Sequence, residues 1–120
     1  MKILFTVDFY EPHKGGAEEV VRQLAERLVK NGGAVTVATT FLPARAAKSI
    51  NGVNIAEFKI SGNLAKGIVA DKKEIERYQK FLQSGFDAVI NYAAQIWTTD
   101  LAFGVLNNIK ASRALVYSLR

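Results

Sequence analysis

Two apolar runs and the helical stripe between them constrain this chain more than anything else in it. Ile3 to Val7 is continuous and apolar, as suits a strand covered on both faces in a parallel sheet. The run ends at Asp8. From Ala17 onward the apolar residues Ala17, Val20, Val21, Leu24, Ala25, Leu28 and Val29 fall at helical spacing. Glu18 and Glu19 stand in the first turn and Lys30 near the end, signs that suit the helix dipole, and Asn31-Gly32 supplies a stop. Ala34 to Thr40, AVTVATT, is rich in β-branched residues and predicts a second strand. Two strands joined by one helix within about 40 residues make a βαβ unit, whose strands run parallel.

The remainder extends that unit. Residues 9–16, FYEPHKGG, form a loop holding Pro12 and the Gly15-Gly16 pair. Phe41 to Gly52 is polar, free of acids and expected to be a loop, and Val53 to Ile60 reads as a weaker edge strand. Asp71 is a candidate N-cap with Glu74 three residues on, and Ile75, Tyr78 and Leu82 follow at helical spacing before Gly85. Ala88 to Tyr92, AVINY, is another buried-type strand. Thr98-Thr99-Asp100 can cap a third helix carrying Leu101, Val105, Leu106 and Ile109, and Ala114 to Tyr117 is a last strand. The order β-α-β-β-α-β-α-β predicts an α/β fold, with an open, mainly parallel sheet and helices on both faces, in one domain spanning 1–120. The chain stops directly after an apolar strand with no helix behind it, which reads as a truncation.

Composition removes several function classes. With no cysteine, a disulfide scaffold, a thiolate metal site and cysteine catalysis are excluded, and an intracellular, cytoplasmic location is expected. His13 is the only histidine, so no multi-His metal site can form and no metal is expected. The first apolar run is broken by Asp8, far short of a signal-peptide core or a membrane span of about 20 residues. The net charge of +5 is spread, with 8 basic and 6 acidic residues in 1–60 and 8 and 5 in 61–120, which argues against a nucleic-acid partner. Between Glu26 and Glu57 no acid occurs, while Arg27, Lys30, Arg45 and Lys48 do. The local positive field can attract an anionic ligand or an anionic membrane surface, or belong to a solvated loop.

Ligands of open parallel sheets bind beyond the carboxyl ends of the strands, near the switch point of the strand order. FYEPHKGG is the first loop at that edge. Its Gly15 and Gly16 directly precede the strongest helix, so backbone N–H groups at the helix start can meet an anion, with a diphosphate as the natural guess. The same pair can equally provide only a tight turn. Neither the dinucleotide fingerprint G-x-G-x-x-G nor the phosphate loop G-x-x-x-x-G-K-[ST] is present, so nicotinamide-dependent reduction lacks its signature. Other candidates carry two readings each. Asp8 can bind an acceptor hydroxyl or receive loop N–H groups, and His13 can contact a phosphate or be an idle loop residue. Trp97, beside Gln95, can stack on a sugar or pack under the sheet. Arg45 and Lys48 can face an anionic acceptor or lipid headgroups, or water. Tyr78, Phe81 and Leu82 read as core contacts of the second helix, and Asp71, Glu74 and Glu76 as capping and surface charge.

The opening MKILFTVDFYEPHKGGAEEVVRQLAERLVKNGGAVTVATT resembles the N-terminal signature of GT-B glycosyltransferases of family 4, in which an apolar strand, a P-x-x-G-G-A-E loop, an amphipathic helix and a glycine turn lead to a second strand. Pro12, Gly15, Gly16, Ala17 and Glu18 stand in that context, and the match spans about a third of the chain. FDAVINYAAQIWTTD, residues 86–100, also resembles the family, where a strand opening with aspartate leads into the cleft. Two departures are visible. The glycine turn is Gly32-Gly33 where the family usually has Gly-His, and Tyr92 stands where many relatives place a cleft histidine.

The resemblance implies the Rossmann-like, acceptor-side half of a two-domain GT-B enzyme, with the donor-binding C-terminal domain absent from this chain. Such an enzyme transfers a sugar from a nucleotide-diphospho-sugar to a glycan or lipid-linked acceptor, retains anomeric configuration, and needs no metal or further cofactor. By the same resemblance Gly15 and Gly16 would lie against the donor diphosphate, while Asp8, His13, Asn91, Tyr92, Gln95 and Trp97 would border the acceptor or sugar cleft. Peripheral contact at the inner face of the membrane is the matching expectation. The alternative is a stand-alone, flavodoxin-like module that holds an anionic ligand at the Gly15-Gly16 helix start without catalysis.

Overall fold

A computed structural model describes residues 1–10, 16–92, 96–109 and 112–116. Six strands form one mixed sheet: β1 (Lys2–Thr6), β2 (Ala34–Thr40), β3 (Ser49–Ile50), β4 (Val53–Phe58), β7 (Ala88–Tyr92) and β8 (Ser112–Val116), in the order β3-β4-β2-β1-β7-β8. A separate hairpin pairs β5 (Ser61–Asn63) with β6 (Gly67–Val69). The helices are α1 (Gly16–Lys30), α2 (Lys72–Leu82) and α3 (Trp97–Phe103), followed by a 3-10 turn over Leu106–Asn108. β1 lies centrally and runs parallel to both neighbours, with Phe5 opposite Val37 on β2 and Ile90 on β7. β4 and β8 are also parallel to their partners, and only β3 is antiparallel.

Strand alternation sorts the core into two clusters. Ile3, Phe5 and Val7 pack with Val21 and Ala25 of α1, whereas Leu4 packs with Tyr78 and Leu82 of α2 and Trp97 and Ala102 of α3. Burying apolar side chains of both parities in β1 is the reason its sequence is continuous rather than alternating. α1 stops where Asn31-Gly32 predicts. Gly32 takes φ 90°, its N–H bonds the Val29 carbonyl and the Gly33 N–H bonds the Leu28 carbonyl, a Schellman closure that glycine makes inexpensive. On the exposed side of α1, Arg22 bridges Glu19 and Glu26, and Glu26 also accepts from Asn51.

Five elements differ from the sequence reading. The 41–52 stretch is not all loop, because Ser49–Ile50 pairs with β4, and β4 is therefore one strand in from the edge. The β5–β6 hairpin is unforeseen: β5, Ser-Gly-Asn, has no β-branched residue, and β6, Gly-Ile-Val, is too short to stand out. It depends on Gly62 at φ 87°, where a Cβ would lie 2.2 Å from the Gly67 carbonyl oxygen. Asp71 precedes α2 in extended backbone but makes no side-chain cap; Glu74 turns instead to the Lys59 N–H (2.7 Å) and to Arg77. α3 starts at Trp97, so Thr98, Thr99 and Asp100 are its first turn rather than its cap, and it ends before Gly104. β8 begins at Ser112, and Tyr117 lies outside the described residues.

α2 contributes a fully buried titratable group. The Tyr78 hydroxyl donates to the Thr98 carbonyl at 2.8 Å, and burial pushes its ionisation far above the ordinary tyrosine range. The folded protein thus keeps that proton at pH values where the unfolded chain releases it. Stability is expected to be unaffected by this group below about pH 10 and to fall above it, by up to about 1.4 kcal/mol per pH unit. Urea titrations between about pH 9 and 11.5 test this: Tyr78→Phe should unfold more easily at neutral pH by about 1 kcal/mol yet lose less stability on going alkaline.

Candidate functional site

Strand order reverses direction at β1, since β2 lies on one side and β7 on the other. The crevice at the carboxyl ends of β1 and β7 is therefore where a ligand of such a sheet is expected. α1 begins at this edge with Gly16, and α3 begins there with Trp97. Gly15, His13 and Gln95, placed at this edge by sequence, lie outside the described residues.

Asp8, directly after β1, is fixed by the end of β2. Its carbonyl accepts from the Thr40 N–H and the Thr39 hydroxyl, both at 3.0 Å. Its Oδ1 accepts from the Trp97 indole N–H at 3.0 Å, which is shared with Thr40 Oγ1 at 2.8 Å. Thr40 has one hydroxyl proton, and the Ile60 carbonyl at 2.9 Å is the nearer acceptor than Asp8 at 3.3 Å. Asp8, Thr40 and Trp97 thus tie together the end of β1, β2, Ile60 beyond β4, and α3 at the carboxyl edge. Half-buried Asp8 is the predicted cleft carboxylate, and its Oδ1 receives the indole N–H of Trp97 in α3, whereas the sequence reading offered loop N–H groups or an acceptor hydroxyl.

The other three described cleft candidates are buried. Trp97 is fully enclosed, 4.8 Å from Tyr78 and 6.3 Å from Phe58 between ring centroids. Its ring faces the core and is not a platform for a sugar, which corrects the stacking reading. Asn91 accepts from the Thr6 hydroxyl at 2.6 Å, a bridge between β1 and β7 inside the protein. Tyr92, with the opposite parity, packs in the α1 cluster near Phe5 and Val21. Successive strand residues point to opposite sheet faces, so Asn91 and Tyr92 do not converge on one ligand through their side chains.

Gly16 behaves differently. It is exposed at the first position of α1, its φ lies outside the left-handed region, and a Cβ there would meet nothing described within 4 Å. Neither backbone strain nor packing among the described residues calls for glycine, and the unpaired N–H groups of a helix start are a ready anion site.

Sequence reasoning missed Arg45. Its side chain is buried rather than solvated or turned to an anionic acceptor: one guanidinium nitrogen bonds Glu57 at 2.7 Å and the Thr40 carbonyl at 3.2 Å, and another bonds the Tyr10 carbonyl at 3.1 Å. Glu57 also accepts from the Leu42 N–H. Lys48 is exposed, and Arg27 and Lys30 lie on α1, so the acid-free stretch does not form one basic patch. The signal available was Glu57 itself, the first acid after that stretch.

Two of the open cavities lie outside the β1–β7 crevice, the first of them at the carboxyl ends of β2 and β4. One, of about 390 Å³, is bordered by Phe41, Lys59, Asp71, Lys73 and Arg77. There the Arg77 guanidinium stacks 4.1 Å from the Phe58 ring centroid, and its hydrogen bond to Glu74 holds that carboxyl below its usual range. The other, of about 440 Å³, is an apolar groove between α1 and β7 lined by Phe5, Leu24, Ile90 and Tyr92 among others. Among the described residues no group of three or more His, Asp or Glu side chains is placed to hold a metal ion, and no helix is long and apolar enough to cross a membrane.

The fold and this edge define an α/β protein with a mixed sheet and three helices, compatible with a Rossmann-like arrangement. No family model matches the chain, and no curated protein matches it.

Proposed function

We propose that this chain is the Rossmann-like, acceptor-side domain of a retaining, family 4-type GT-B glycosyltransferase, with an open sheet covered by helices on both faces. The observation that carries the reading is Gly16, a glycine at the α1 start beside the switch point that packing among the described residues leaves unexplained. A donor diphosphate drawn against the α1 N–H groups accounts for it, because a side chain at this position would hold the phosphate away. In transfer, the anomeric carbon–oxygen bond to the diphosphate breaks, the nucleoside diphosphate leaves with the electron pair, and the acceptor hydroxyl oxygen bonds the anomeric carbon as its proton passes to the departing diphosphate oxygen. The helix start stabilises the charge growing on the leaving phosphate. Asp8 holds the adjacent crevice in shape through Trp97 and Thr40.

The test is release of nucleoside diphosphate from UDP- and GDP-sugars by this domain joined to a C-terminal donor domain, with glycan and lipid-linked acceptors supplied. Acceptor-dependent release is expected, together with donor binding by the 120 residues alone weaker than about 1 mM, an affinity near −4 kcal/mol. Low-micromolar donor binding by the isolated chain would instead mark a self-contained anion-binding module.

A further inference from the structure

We propose that the open flank of α1, with the apolar groove beside it, docks a second copy of this chain antiparallel to the first, a property independent of the glycosyltransfer reading. α1 covers β1 and β2 on one face of the sheet, while α2 and α3 pack in the opposite cluster. On the α1 face the described residues leave the β7 side open. A groove of about 440 Å³ lies there between Val20, Leu24 and Leu28 of α1 and Phe5, Ile90 and Tyr92 of the sheet. Val20 and Leu24 form its outer lip, at 41% and 43% exposed. Ala17, Val20, Leu24, Arg27 and Asn31 recur at alternating steps of three and four, the spacing of a helix-pairing seam.

The polarity of the seam selects both its occupant and the direction of docking. Its first three positions are apolar and its last two are polar. A parallel pair would set Arg27 against the partner's Arg27. An antiparallel pair instead lays Val20 on the partner's Leu24 and Leu24 on the partner's Val20, and brings Arg27 to the partner's Ala17, which is small enough to admit it. Charge runs the same way, because α1 carries Glu18 and Glu19 in its first turn and Arg27 and Lys30 in its last. Antiparallel docking sets the bases of one copy beside the acids of the other and opposes the two helix dipoles. Among the described residues Arg27 and Lys30 make no ion pair, and Glu19, which already holds Arg22, keeps a half-exposed carboxylate able to accept a further donor. One patch serves both copies, so the contact closes as a two-fold pair. A small apolar anion would fill the groove and meet Arg27, but would give the acidic first turn no partner.

Sedimentation equilibrium of the chain tests the proposal. A monomer–dimer equilibrium with a dissociation constant on the order of 50 μM is expected from so short a seam. Leu24→Lys should weaken it at least about tenfold, because the charge enters the partner's groove. Arg27→Glu should weaken it about fivefold, and Glu19→Lys combined with Arg27→Glu should bring it back to within about twofold, since the pair is rebuilt with its signs exchanged. Glu19 and Arg27 are eight residues apart, about 12 Å along the axis, so this rescue cannot arise within one helix. All three residues are exposed, and far-ultraviolet dichroism of the dilute monomers should show the same helix content in every variant. The proposal is overturned if the chain stays monomeric at about 300 μM, if Leu24→Lys pairs as well as the unaltered protein, or if the double reversal pairs no more tightly than Arg27→Glu. A monomer that takes up anilinonaphthalene sulfonate, and loses it on Leu24→Lys, would overturn it in favour of a small apolar anion.

Discussion

Replacing Arg45 by alanine is expected to destabilise the protein by about 3 kcal/mol, seen as a lower urea midpoint with an unchanged slope and a melting temperature lower by roughly 10 °C. Three acceptors lose their donor together. The Glu57 carboxylate, the Thr40 carbonyl and the Tyr10 carbonyl all face this guanidinium, whose side chain is 1% exposed. Removing one member of a buried pair costs more than the pair contributes, because the remaining charge is desolvated and unanswered. Glu57 keeps some contact with water, its side chain being 19% exposed, which places the loss at the lower end of the range for buried pairs. Arg45→Met combined with Glu57→Gln should recover a substantial part, since glutamine removes the charge and still accepts from the Leu42 N–H. A loss under about 1 kcal/mol for the single variant would mean the clamp is loose in solution.

Arg45 also marks where sequence reading gives out. The βαβ unit was legible because each of its signals is local: a continuous apolar run, a stripe at helical spacing, and Asn31-Gly32 closing α1 as a Schellman turn. Arg45 carries no such signal. An arginine in an acid-free stretch looks solvated until the chain returns at β4 and brings Glu57 to it. Trp97 is similar, because its burial depends on Phe58 and Tyr78 from two distant elements and on acceptors from β2 and the segment after β1. The shift of the α3 start follows from that: with the indole held at Asp8 and Thr40, Thr98 and Thr99 are drawn into the core instead of remaining outside as caps. The hairpin was missed for the opposite reason. β5 has no β-branched residue, β6 has only Ile68 and Val69 after Gly67, and the turn closes through Gly62 and an Asn63 side-chain bond, so two runs of three residues read as loop while geometry makes strands. Within the proposed cleft, residue type pointed to the carboxyl edge of β1 and β7. It did not tell which side chains face inward, because Asn91 and Tyr92 divide by strand parity and Thr6 takes the asparagine as a structural partner.

Gly16→Val in the protein joined to its donor domain is expected to lower kcat/KM for nucleotide-sugar by about 100-fold or more, with no matching loss of stability. The fall corresponds to about 2.7 kcal/mol of transition-state stabilisation, the amount typically forfeited when one backbone donor to a developing anion is displaced. The described fold is indifferent to the change because Gly16 is exposed, has no left-handed φ, and no described residue lies within 4 Å of where a Cβ would stand. Gly16→Ala sharpens the separation, since alanine narrows the unfolded ensemble at a position whose backbone it can adopt. It should stabilise by about 0.4–1 kcal/mol while still reducing transfer. Urea unfolding and initial rates measured on the same preparations place the two effects side by side. Opposite signs, greater stability with less activity, are the signature of a glycine kept for the approach of a ligand, because a glycine kept for the turn would lose both together. Unaltered transfer in both variants would remove the diphosphate from the α1 start.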